Sequence, residues 1–110
     1  MSREAAARLQ DILEAIERIR SYEVQIKEGA PVMLTRDAIV FRLVVIGEAV
    51  KDLSSELTAQ EPEIEWGGIA GMRDILTHEY HRIDQGVVDD VVARRLDELD
   101  EACRRLLAGL

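Results

Sequence analysis

Apolar residues recur along this chain at alternating spacings of three and four, the period of a helix that packs one face against other helices. In the first segment Ser2 is a candidate N-cap, and Gly29 with Pro31 predicts the end of the helix. The apolar stripe of this helix consists of Ala5, Leu9, Ile12, Ile16, Ile19 and Ile26.

The second segment predicts a helix that starts at Thr35, whose hydroxyl can cap it, and that runs to about Leu57. Its stripe consists of Ile39, Leu43, Ile46, Val50, Leu53 and Leu57. A second apolar flank consists of Val40, Phe41, Val44 and Val45. Two flanks indicate a helix covered on more than one side, either within its own bundle or by a partner chain. The pattern leaves both alternatives open.

Breaks at Pro62, at Gly67–Gly68 and at residues 84–86 separate a short third helix from a last one. The third helix carries Ile69, Met72, Ile75, Leu76 and Tyr80. The last carries Val88, Val92, Leu96, Leu99, Cys103, Leu106 and Leu110. Helices joined by short connections predict an all-α fold, an up-and-down antiparallel four-helix bundle in one domain over residues 1–110.

Composition narrows the functional classes. Acidic residues outnumber basic ones by 22 to 14, and the net charge of −8 disfavours nucleic-acid binding through a broad basic surface. The single cysteine, Cys103, excludes an internal disulfide and is read as a small buried apolar residue. The N-terminal segment has no apolar signal-peptide core, and the longest apolar run, LVVIG, is too short to span a bilayer. These observations predict a cytoplasmic protein with no membrane partner.

The segment RDILTHEYHRID, residues 73–84, concentrates two histidines, two arginines and a tyrosine. Arg73 and Tyr80 are seven residues apart and would share one stripe of a helix. His78 is displaced from Arg73 by about 140° around a straight helix axis. The two could converge if the Arg73 side chain wraps round, if the helix loosens near Glu79, or if a second chain supplies the complement.

Arginine and histidine together suit phosphate chemistry. Histidine can exchange a proton near neutral pH, and arginine can hold a phosphate through two hydrogen bonds. That set suffices to cleave RNA by attack of the ribose 2′-OH, without a metal. His78 and His81 are three residues apart and form no familiar metal-ligand set. The alternative is an ordinary solvated helix face, to which His81 and Arg82 are assigned.

The spacing in RDILTHEY resembles the RX4HXY motif of HepT-type toxins in the HEPN superfamily. The segments VVIGEAVKDLS, WGGIAGMRD and HRID resemble the same family, so the likeness spans most of the chain. The resemblance implies a homodimer of HEPN-like helical bundles with an extra short helix. It implies a ribonuclease that acts on RNA without metal or cofactor. Arg73 and His78 would then be catalytic, Arg73 on the phosphate and His78 as general acid or base, with Asp74 as a supporting residue.

The resemblance also implies a mode of control. The chain would be the toxin of a type VII toxin–antitoxin system, and Tyr80 would be AMPylated by an antitoxin, an MNT-type minimal nucleotidyltransferase. Added negative charge beside a phosphate-binding cleft would repel RNA. The alternative function is a noncatalytic helical partner that positions substrate for a nucleotidyltransferase. Messenger, transfer and ribosomal RNA all remain open as targets.

Overall fold

The structure, a computed structural model, describes residues 2–110, except for the side chains of Ser2, Arg3 and Tyr80. Within this range the chain forms six α-helices and one short 3-10 helix and contains no β-strand, which confirms the predicted all-α class. None of the helices described is long and apolar enough to cross a membrane. The helices are α1 (Ser2–Lys27), α2 (Val32–Lys51), α3 (Ser55–Thr58), α4 (Trp66–His78), α5 (Gln85–Arg94) and α6 (Leu96–Ala108), with the 3-10 helix at Tyr80–Arg82.

The apolar stripes predicted for α1, α2 and α6 form one core. At about 1.5 Å per residue, the 26 residues of α1 span about 39 Å. This matches the longest dimension of the molecule, 40 Å. Helix α1 packs against α2 on one side and α6 on the other, and α4 packs against α2. The largest fully buried side chains are Leu9, Ile12, Ile16, Ile19, Leu43, Ile46, Leu96, Leu99 and Cys103.

Helix α1 ends where the sequence predicts. Gly29 has a φ of +98°, a conformation that glycine adopts without steric cost. The Ala30 N–H donates to the Gln25 carbonyl at 2.9 Å, and the Gly29 N–H donates to the Ile26 carbonyl at 3.1 Å. These two bonds close the helix as a Schellman motif. The proposed cap at Ser2 lies outside the described side chains.

The predicted bounds of α2 were wrong at both ends. The helix starts at Val32, so Thr35 lies inside it and its hydroxyl donates to the Pro31 carbonyl at 2.7 Å. Pro31 precedes the first helical residue, and its fixed φ suits a helix start. At the other end the helix stops at Lys51. Ser54 then caps the separate helix α3 by accepting from the Leu57 N–H at 3.2 Å.

The second apolar flank of α2 is covered mainly by its own chain. Val40 is 6% exposed and belongs to the core. Val44 and Val45 are partly buried against the same core, whereas Phe41 is 59% exposed. The central-helix alternative therefore holds for most of this flank, and Phe41 alone among the four presents a largely uncovered apolar surface.

Three predictions for the C-terminal half were also wrong. Helix α4 ends at His78, because Glu79 adopts a non-helical conformation (φ −123°, ψ 36°), so the third helix does not reach Tyr80. The predicted last helix is divided at Arg95 into α5 and α6. No glycine or proline marks this division, and the apolar periodicity continues across it. The pattern therefore predicted one helix where the structure has two. Leu110, placed on the apolar stripe, is 48% exposed.

The start of α4 is fixed by the connection that precedes it. The Trp66 indole N–H donates to the Glu61 carbonyl at 3.0 Å. The Glu61 carboxylate in turn accepts from the Arg105 guanidinium of α6, at 2.7 Å for the shortest bond. The loop before α4 is thus attached to α6, which orients the helix that carries the motif.

Candidate active site

Arg73 lies at a close approach between α4 and α2. A Cβ built on Gly47 of α2 would sit 2.5 Å from the Arg73 Cβ and 3.2 Å from the Ile69 carbonyl oxygen of α4. Real Cβ atoms do not come this close to other carbons, so only glycine fits at position 47 without displacing α4. This contact brings the base of the Arg73 side chain against α2.

Two carboxylates hold the Arg73 guanidinium. Its Nε donates to Glu48 of α2, and its NH1 group donates to the Asp74 Oδ1 at 2.9 Å. The hydrogen bonds to Asp74 and to Glu48 raise the pKa of Arg73 above its ordinary value. The guanidinium is therefore charged at any physiological pH. Among the side chains that the structure describes, only these two carboxylates pair with it, which leaves its other N–H groups for a phosphate.

Asp74 lies between the two residues of the predicted catalytic pair. The hydrogen bond from Arg73 lowers the pKa of Asp74, and the charges of Lys51 and His78 act in the same direction. The Lys51 ammonium is 4.0 Å from the Asp74 Oδ1. Asp74 and His78 are four residues apart in α4 and so share a helix face.

This arrangement bears on the angular separation of Arg73 and His78. Of the three routes by which they could converge, the structure shows part of the first and also the loosening at Glu79 on which the second depends. The Arg73 side chain turns toward Asp74, on the face that leads to His78. His78 is the last residue of α4 and is exposed to solvent, so its imidazole is accessible to a ligand.

Three residues that follow α4, Tyr80, His81 and Arg82, form the short 3-10 helix. The backbone of Tyr80 opens the 3-10 helix, which begins just after Glu79. The Tyr80 side chain, the predicted site of modification, lies outside the described residues. His81 and Arg82 are both exposed, which confirms their assignment to a solvated face.

Glu48 was missed by the reasoning from sequence. The segment VVIGEAVKDLS contributed to the resemblance, but no role was assigned to its glutamate. A signal was available, because Glu48 directly follows Gly47, the only glycine of α2. Glycine in a helix interior costs about 1 kcal/mol relative to alanine and often marks a close approach, but the sequence does not say to what.

An apolar groove runs beside the motif helix, between α4 and α5. Its volume is about 480 Å³, and its apolar lining includes Ile69, Met72, Ile75, Val87 and Val91. Ile75 and Val87 are 58% and 59% exposed.

The described residues offer no candidate metal site. Among them, no group of three or more His, Cys, Asp or Glu side chains is placed to hold a metal ion.

The fold and the site together define a class: an all-helical bundle that presents an ion-paired arginine and an exposed histidine from one helix, two residue types suited to phosphate chemistry. Comparison with known families agrees. The family described as Ribonuclease HepT-like matches residues 12–106. The chain belongs to this family, the HepT-type ribonucleases of the HEPN superfamily.

Individual relatives support the same placement. A protein of Caldanaerobacter subterraneus subsp. tengcongensis, named "Putative RNase", is 38% identical over 101 residues, which are 90% of this chain and 87% of that protein. A protein of Thermococcus cleftensis, named "Probable ribonuclease HepT", is 34% identical over 93 residues, 83% of this chain and 84% of that protein.

A longer relative also matches. A protein of Methanocaldococcus jannaschii, named "Gamma-glutamylcyclotransferase and putative RNase", is 32% identical over 112 residues. The match covers 100% of this chain and 50% of that protein. No solved structure matches the chain.

Proposed function

We propose that this protein is a metal-independent endoribonuclease, the toxin of a type VII toxin–antitoxin system. The observation that carries the proposal is the placement of Arg73 and His78. Arg73 is held at the contact between α2 and α4 with unused N–H groups, and His78 is exposed at the end of the same helix. Membership of the ribonuclease family supports the same reading.

The proposed reaction is transesterification within the RNA chain. The ribose 2′-OH gives up its proton and its oxygen attacks the adjacent phosphorus. The bond from phosphorus to the 5′ oxygen breaks, and that oxygen takes up a proton. The products are a 2′,3′-cyclic phosphate and a free 5′-OH. Arg73 stabilises the charge that develops on the phosphate, and His78 transfers protons, with Asp74 in a supporting role.

A homodimer would complete this site. Two protons move in the reaction, and one histidine in each of two chains could act as base and as acid. A two-fold axis beside the motif helix would bring the second His78 to the same cleft. Ile75 is exposed one turn before His78 and lines the apolar groove, so a second copy of the chain would cover it. Val40 is excluded from such an interface because its own chain already buries it.

The proposed control is AMPylation of Tyr80 by an MNT-type nucleotidyltransferase antitoxin. Tyr80 begins the turn that follows His78 and Glu79, so a nucleotide attached there would lie near the end of the motif helix. Its negative charge would repel an RNA backbone from Arg73.

The ribonuclease test uses purified protein, single-stranded RNA and a chelator in the buffer. His78→Ala is expected to lose activity by about 100-fold or more, the usual share of general acid–base catalysis. Arg73→Ala should lose a comparable amount. His81→Ala is the matched control, because His81 is the only other histidine and is also exposed. RNA left intact by the wild-type chain, or cleaved equally by His78→Ala, would contradict the proposal.

The AMPylation test uses the antitoxin, ATP and intact-mass measurement. The wild-type chain should gain mass in AMP-sized steps and lose ribonuclease activity. Tyr80→Phe should gain no mass and stay active. Tyr22→Phe is the control, because Tyr22 is the only other tyrosine in the chain and lies in α1. Modification of Tyr80→Phe to the wild-type extent would show that another residue is the acceptor.

The alternative function, a noncatalytic partner of a nucleotidyltransferase, is favoured by two observations. The two carboxylates on Arg73 and the net charge of −8 both oppose the approach of RNA. The same two experiments discriminate between the functions. The chain is the noncatalytic partner if it binds the nucleotidyltransferase and leaves RNA intact, and if Arg73→Ala changes neither result.

A further inference from the structure

We propose that Glu48 is a positioning residue of the active site, which acts through Arg73 by fixing the direction of its guanidinium. The inference rests on the proposed ribonuclease function. It starts from one contact: the Arg73 Nε donates to Glu48 Oε1 across the interface between α4 and α2. The two residues are 25 apart in sequence, so tertiary packing alone brings them together.

The close approach of the two helices makes this contact possible. At Gly47 the backbone of α2 lies against the Cα and Cβ of Arg73, with the Arg73 Cα 3.4 Å from the position of a Gly47 Cβ. Glu48 is the next residue in α2, and its side chain emerges beside this contact. Its carboxylate can therefore meet the Nε, the nitrogen nearest the backbone, while the terminal NH1 donates to Asp74.

Glu48 and Asp74 do different things for Arg73. Asp74 is the neighbour of Arg73 in the same helix and binds the NH1 group. A contact within α4 leaves the guanidinium free to move with the local side-chain torsions. Glu48 comes from another helix and so fixes the guanidinium relative to the whole bundle. The side chain of Arg73 is 28% exposed, enough to present its unused N–H groups to solvent.

This position has a kinetic consequence. Charge builds up on the non-bridging phosphate oxygens in the transition state, and a donor stabilises it only when it is already aimed at them. A misplacement of about 1 Å can cost about 100-fold in rate. Loss of Glu48 should therefore lower kcat while KM changes little, since an interaction made mainly in the transition state does not hold the ground state.

The experiment compares kcat and KM for wild type, Glu48→Ala, Glu48→Gln and Glu17→Ala. We expect Glu48→Ala to lose about 10- to 100-fold in kcat with KM within about threefold. Glu48→Gln keeps an oxygen that accepts from the Arg73 Nε and should recover most of the loss. Glu17→Ala makes the same change at an exposed glutamate of α1 and should behave as wild type.

A double-mutant cycle tests whether the effect passes through Arg73. In an Arg73→Ala background the Glu48→Ala change should cost nothing further, because residues that act as one unit are not additive. A wild-type kcat in Glu48→Ala would overturn the proposal. The same loss in both backgrounds would overturn it too, since Glu48 would then act on the substrate itself. A Glu48→Gln variant as impaired as Glu48→Ala would show that charge, not position, matters.

A measurement without substrate separates this inference from the proposed function. In spectra of protein with nitrogen-15-labelled arginine, the Arg73 Nε–H signal, assigned by its absence from Arg73→Ala, should be protected from exchange. Protection should persist in Glu48→Gln and disappear in Glu48→Ala. If the signal is protected but wild type leaves RNA intact, the proposed function fails and the positioning role fails with it. If wild type cleaves RNA but the signal is unprotected, the positioning role alone fails.

Discussion

Gly47 and Arg73 are in direct contact across α2 and α4: a Cβ at position 47 would lie 2.5 Å from the Arg73 Cβ. The neighbouring atoms are the base of a side chain and a backbone carbonyl, not the flexible end of a side chain, so neither can move aside cheaply. This contact sets the distance between the helix that carries the motif and the central helix of the bundle.

We expect Gly47→Ala to destabilise the protein by about 1–3 kcal/mol, the usual cost of overpacking, and to reduce ribonuclease activity by moving Arg73. Urea unfolding gives the free energy, and the RNA assay gives the activity. Gly67→Ala in α4 is the control, because nothing lies within 4 Å of a Cβ there and alanine favours a helix. A Gly47→Ala protein as stable and active as wild type would show that the helices can separate without cost.

Arg20 ties α1 to both C-terminal helices. One of its nitrogens donates to the Val92 carbonyl at 2.9 Å and another to Asp97 at 2.7 Å. Lysine cannot reach both, so Arg20→Lys should lower the free energy of unfolding by about 1–2 kcal/mol. Arg18→Lys, at an exposed arginine 3.9 Å from Glu14, should change it by less than about 0.5 kcal/mol. If the two variants lost equal amounts of unfolding free energy, the two contacts of Arg20 would not contribute more than an ordinary surface pair.

Because the thiol of Cys103 is buried, we expect the protein to lose stability as the pH becomes alkaline. Burial raises the pKa of its thiol to about 12, from an ordinary value of 9.0. Between these values the unfolded chain releases the proton and the folded chain keeps it. The unfolded state therefore binds fewer protons, and the free energy of unfolding falls as pH rises.

From pH 8 to pH 10 this fall should amount to about 1.4 kcal/mol. For Cys103→Ala, the change in the free energy of unfolding between pH 8 and pH 10 should lack this contribution. Subtracting the two cancels the other groups that titrate in this range. Identical alkaline slopes for the two proteins would mean that the native thiol titrates as readily as an unfolded one.

The proposed dimer predicts a specific effect of Ile75. At micromolar concentration wild type should sediment as a dimer, and Ile75→Glu as a monomer, because a buried unpaired charge opposes association. Ile75 is 58% exposed in the single chain, so the change to glutamate should not lower the thermal stability of the monomer itself. Val24→Glu, at an aliphatic residue of α1 that is 52% exposed, is the control and should remain dimeric. A monomeric wild type would contradict the shared site.

The helical fold was predictable from the sequence because its cause is local. Leu9, Leu43 and Cys103 were assigned to the core from spacing alone, and all three are fully buried. The end of α1 was predictable for the same reason, since Gly29 and Pro31 act on their own neighbours. The RX4HXY spacing likewise pointed to Arg73 and His78 and to the family that the comparison confirmed.

Tertiary contacts decided what periodicity could not. Val40 and Phe41 are adjacent apolar residues on one predicted flank, yet the first is buried and the second is 59% exposed. The division between α5 and α6 at Arg95 has no glycine or proline to announce it. The difference between Val40 and Phe41 depends on which surfaces the neighbouring helices cover, and the spacing along one helix does not show this.

The site shows the same distinction most clearly. The sequence by itself placed Arg73 and His78 on one helix and separated them by angle. Only the folded chain brought Glu48 and Gly47 to Arg73 and turned its guanidinium toward Asp74. The period of a helix is fixed by its own backbone hydrogen bonds and can be read along the chain. The direction of a long charged side chain is fixed by partners from another helix, and these become neighbours only when the helices pack.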